Sequence, residues 1–134
     1  MLYKKNVEKS LKTELFKNPT SEFRGTPFWA LNSYLTKEEL CRQIDVFKEM
    51  GLGGFHLHVR TGLENEYLGE EYMELMKNSV TKAKEEEMLA WLYDEDRWPS
   101  GSAGGFTVQA SPENRRKALS FTYTPYDDGT LITE

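Results

Sequence analysis

The sequence predicts an α/β fold in which strands and helices alternate and the strands run parallel. Three observations carry this expectation. Residues 89–93 (LAWLY) form an apolar run too short for a helix and with no solvated face, the habit of strands that parallel sheets cover on both sides. Two amphipathic helical stretches precede it, each leading into a strand candidate. The strand candidates begin at Phe28, Phe55 and Leu89, about 27 and then about 34 residues apart, close to what a strand, a crossover helix and the next strand require.

Taken in order, residues 1–26 read as an N-terminal extension. Val7, Leu11 and Leu15 recur every four residues among lysines and glutamates, the pattern of a weak amphipathic helix. Asn18, Pro19, Gly25 and Pro27 then punctuate the chain. Residues 27–119 hold the alternating units, beginning with a strand over 28–32 (FWALN). Thr36 and Glu39 have the Thr-x-x-Glu form of a capping box, so a helix is expected to start there. Leu40, Ile44, Phe47 and Met50 give it one apolar stripe, and Gly51 supplies a left-handed stop.

Residues 55–60 (FHLHVR) alternate, so Phe55, Leu57 and Val59 share one face and His56, His58 and Arg60 the other. A loop over 61–69 leads to a helix over 70–87, with Tyr72, Leu75, Met76, Val80 and Ala83 on or near its apolar face and the charges of 82–87 in solvent. No glycine closes that helix; Glu85, Glu86 and Glu87 stand there instead. Beyond the third strand, Phe106, Thr107 and Val108 are not expected to open a helix. Ser111 and Pro112 are expected to start one that runs to about Ala118. Residues 120–134 read as a β-hairpin-like tail.

The 134 residues suit one domain or a piece of a larger one, 38% hydrophobic and 29% charged, with a mean hydropathy of -0.67 that predicts a modest core. Acids outnumber bases 22 to 17 and no basic block occurs, which argues against nucleic acid as a partner. Cys41, the single cysteine, lies in a predicted helix and can build neither a disulfide framework nor a cysteine metal site. No apolar run approaches the roughly 20 residues that span a bilayer, and the N-terminus does not resemble a secretory signal; a cytoplasmic location and no membrane partner are expected.

The chemistry is expected where the third strand ends. Asp94, Glu95 and Asp96 follow an apolar strand directly and precede a loop rich in Gly, Ser and Pro. In parallel α/β folds ligands bind at the carboxyl ends of strands. Were the chain still extended there, Asp94 and Asp96 would share a face with Cα atoms about 6.5 to 7 Å apart. A solvated strand end, a cap cluster and a divalent-cation site are the competing readings of these acids. Zinc on His56 and His58 is weaker, because no third ligand lies nearby, and a phosphate cradle at 101–105 would need a helix to follow it.

Residues 27–32 (PFWALN), the capped helix after them, 51–68 (GLGGFHLHVRTGLENEYL) and above all 92–105 (LYDEDRWPSGSAGG) resemble the opening βα units of bacterial glycoside hydrolase barrels of the α-L-rhamnosidase-like kind. The resemblance covers about residues 19–116. It implies three successive βα units like the first part of a TIM (β/α)8 barrel, and hydrolysis of a glycosidic bond. Asp94, Glu95 and Asp96 would be the acidic catalytic residues. His56, His58, Arg60, Arg97, Trp98 and Asn32 would bind a carbohydrate substrate, with no metal or cofactor. Proteins of this kind are much longer, and the second carboxylate of the site can belong to later strands. The alternative is therefore a non-catalytic remnant, or a carbohydrate-binding or assembly module, partnered by further copies or by the remainder of a barrel.

Overall fold

A computed structural model of the chain describes residues 9–94, 96 and 101–119. Within them, strands β1 (Phe28–Leu31), β2 (Gly54–Val59) and β3 (Leu89–Leu92) alternate with helices α2 (Lys37–Glu49) and α3 (Glu70–Glu85). A short helix α1 (Thr13–Lys17) precedes them and another, α4 (Phe106–Ala110), follows. The sheet is parallel throughout, in the order β1-β2-β3, with Phe28 opposite His56 and His56 opposite Trp91.

The alternation of β2 decides the layers. Phe55, Leu57 and Val59 are buried with Trp29 and Leu31 of β1 against Leu40 and Ile44 of α2 and Tyr72, Leu75, Met76 and Ala83 of α3. Trp29 meets Phe47 and Phe55 edge-on at 5.1 and 5.2 Å, and its indole N–H donates to Gln43 at 2.9 Å. Both crossover helices thus pack on one face of a sheet whose strands follow in sequence order, as consecutive right-handed βαβ units dictate. The capping box forms at its threonine: Thr36 Oγ1 accepts from the Glu39 amide at 3.3 Å.

The two helices end in the same way. After α2, the Leu52 amide donates to Phe47 O and that of Gly51 to Lys48 O; after α3, Met88 donates to Ala83 O and Glu87 to Lys84 O. Each is a Schellman turn, which needs a left-handed residue, and Gly51 (φ 79°) and Glu87 (φ 55°) take that conformation. Lys82 bridges the helices, at 2.6 Å from both Asp45 and Glu86, and these two carboxylates hold its ammonium well above the usual lysine range.

Several expectations need correction. β3 is not covered on both sides: an edge strand among the described residues, it is half-buried, and Leu92 is 66% exposed. The stripe of α3 runs through Ser79, 1% exposed, while Val80 is 42% exposed, because the 3.6-residue period from Tyr72, Leu75 and Met76 passes through position 79. Lys82 is drawn out of the solvated charge run by its bridge, with 20% of its side chain exposed. Met50 caps α2 at 68% exposure and does not extend the stripe. Of the N-terminal stripe, Leu11 and Leu15 stay outside the core, α1 having no buried residue and Leu11 being 83% exposed, while Val7 lies outside the described residues. Phe106 does open a helix, whereas the expected helix from Ser111 is a single 3-10 turn (Pro112–Asn114) capped by Ser111. The expected tail over 120–134 lies outside the described residues.

Candidate functional site

The loops after β1 and β2 are tied together by a buried asparagine. Asn65, 5% exposed, accepts from the Leu35 amide at 2.7 Å and donates to Leu35 O at 3.3 Å and to Glu71 at 3.1 Å. Glu71 also accepts from the Tyr34 hydroxyl at 2.8 Å, which raises the tyrosine pKa. The loop after β1, the loop after β2 and the first turn of α3 are thereby one unit. Gly62 (φ 110°) brings the second loop against the first, where a Cβ would stand 2.6 Å from Asn32 O.

This unit borders a cavity of about 230 Å³ lined by Val59, Arg60, Thr61, Gly62, Leu63, Asn65, Tyr67 and Asp96. Asp96, 4% exposed, has interactions of its own within the fold, while Asp94 is exposed. The chain bends at both residues beyond the end of β3, so the extended spacing expected of them does not apply. Tyr67 stands between the loops: its hydroxyl lies 3.5 Å from Asp94 O, its ring meets that of Tyr72, and Gly104 approaches so closely that a Cβ there would be 2.7 Å from it.

Of the expected site residues, Arg60 and Asp96 come together in this cavity. Asn32 and Asp94 are exposed at the ends of β1 and β3. His56 and His58 occupy the face of β2 away from the helices, as their alternation requires, and neither lines the cavity. His56 stacks on Trp91 at 4.8 Å, and its Nδ1 is enclosed with no hydrogen-bond partner among the described residues. His58, 3% exposed, meets the rings of Phe28 and Tyr93 at 4.3 Å each. Trp29 belongs to the core. Glu95, Arg97 and Trp98 lie outside the described residues.

Sequence reasoning passed over Tyr67 and Asn65, whose only signal was their place in a loop after a predicted strand end. It also set aside the glycine loop for want of a following helix. The loop does enter α4, but that helix is only five residues long. Among the described residues no three His, Cys, Asp or Glu side chains cluster as a metal site, and no helix is long and apolar enough to cross a membrane. Compared with known protein families, curated proteins and solved structures, the chain matches none.

Proposed function

We propose that the chain carries a carbohydrate site of glycoside hydrolase type, built as in the first βα units of a (β/α)8 barrel. The observation that supports this reading is the cavity at the strand carboxyl ends, with the buried carboxylate of Asp96 in its wall and that of Asp94 two residues earlier in the chain. Hydrolysis of a glycosidic bond needs one carboxyl group to protonate the leaving oxygen and a second to activate water or attack the anomeric carbon. Asp94, Glu95 and Asp96 are the candidates for these roles. Arg60, Tyr67 and Asn32 would contact the sugar.

The test is release of nitrophenol from a panel of aryl glycosides. Turnover of at least one is expected, with Asp96→Asn lowering it about 100-fold or more without loss of fold. A folded protein that cleaves none, or an Asp96→Asn variant as active as the parent, contradicts the reading.

A second reading, an assembly module without turnover, draws on a different observation. Parallel sheets normally bury both faces, yet Phe28 is 53% exposed on the face that α2 and α3 leave uncovered, and Leu92 lies 66% exposed on the edge strand. Unpaired strand edges also invite association. Light scattering on the same preparation would then report a defined assembly that cleaves nothing.

A further inference from the structure

The cavity at the strand ends has few groups left to offer a ligand. Asn65 spends both its amide atoms on Leu35 and Glu71. Arg60 differs. Its backbone N–H donates to Leu31 O, which fixes the residue at the end of β2, while its guanidinium pairs with no carboxylate among the described residues. It is the one cation among the described residues that line the cavity, in a chain where acids exceed bases by 22 to 17, and Asp96 lines the same cavity. A planar guanidinium presents five donors in a fork that matches a carboxylate or phosphate edge and is poorly used on a single hydroxyl. The volume, about 230 Å³, falls below the roughly 300 to 1,000 Å³ of drug-sized sites and suits one sugar ring.

From this we propose that the sugar bound here carries an anionic group, carboxylate or phosphate, and that Arg60 is the residue that selects it. The inference rests on the carbohydrate reading above. Asp96 in the same wall disfavours a second negative group near it, so the anion lies at the Arg60 side and the remaining hydroxyls face Asp96 and Tyr67.

The experiment is calorimetric titration of the full chain with glucose, glucuronate and glucose 6-phosphate. At least one anionic sugar is expected to bind about tenfold more tightly than glucose, the scale of one charge-assisted hydrogen-bonded pair, and comparison of the two separates carboxylate from phosphate. Arg60→Met, checked for an unchanged melting transition, should abolish the preference, and Arg60→Lys should keep part of it. Glucose binding as tightly as both anions, or a preference that survives Arg60→Met, overturns the inference and leaves the carbohydrate reading standing. Binding of none of the three overturns both.

Discussion

Tyr72 shows how a single buried hydroxyl makes the fold sensitive to alkali. It is 5% exposed beneath the loops of the site, and burial, with a smaller contribution from Tyr67, pushes its pKa up to about 12. A tyrosine that ionises near 10 when unfolded and near 12 when folded stabilises the protein fully below pH 10, and that contribution is lost as pH rises through 12. Denaturant midpoints at pH 9 and pH 11.5 should therefore fall more for the parent than for Tyr72→Phe, by on the order of 1 to 2 kcal/mol; equal losses would assign the alkaline sensitivity elsewhere. Residues of this kind were legible in part. The apolar phase of Phe55, Leu57 and Val59 could be read from alternation alone. Asn65 could not, because its partners Leu35 and Glu71 are brought to it only by the fold.

At the scale of elements, the two Schellman turns reveal a repeat that residue identity conceals. Gly51 and Glu87 occupy equivalent positions, each followed by an apolar residue, Leu52 or Met88, and then a strand. The left-handed conformation costs a residue with a side chain roughly 1 to 2 kcal/mol, and glycine's greater freedom when unfolded recovers only part of that difference. Glu87→Gly is expected to stabilise the chain by about 0.5 to 1 kcal/mol in chemical denaturation, and a destabilised variant would show that the glutamate side chain compensates. The start of α2 was legible because Thr36 and Glu39 advertise a local hydrogen-bond pattern. The end of α3 was not, since nothing in three consecutive glutamates signals a left-handed turn. The segment after β3 failed in the opposite sense: Ser111 and Pro112 are sound starting residues, but no apolar stripe follows them to pack a helix, and only a single 3-10 turn forms.

For the whole molecule, sequence spacing and the βα alternation anticipated a parallel sheet with consecutive strand order, which is also what places the loops after β1, β2 and β3 at one end. Full coverage of β3 was misread because an apolar run reports what a strand is suited to pack against, not whether the described chain supplies it. The opposite end carries a rival. Lys9, Leu11, Leu15, Phe16, Pro19 and Phe23 border a larger hollow of about 600 Å³, and the segment containing them reaches Gly53 and Glu87, just before β2 and β3, through Ser21. Amide shift mapping by NMR during titration with glucose and glucuronate distinguishes the two ends directly. A carbohydrate site at the strand carboxyl ends predicts saturable shifts confined to residue 32 and to residues 59–67 and 94–96. Shifts centred on residues 9–23, or none at millimolar sugar, would contradict it.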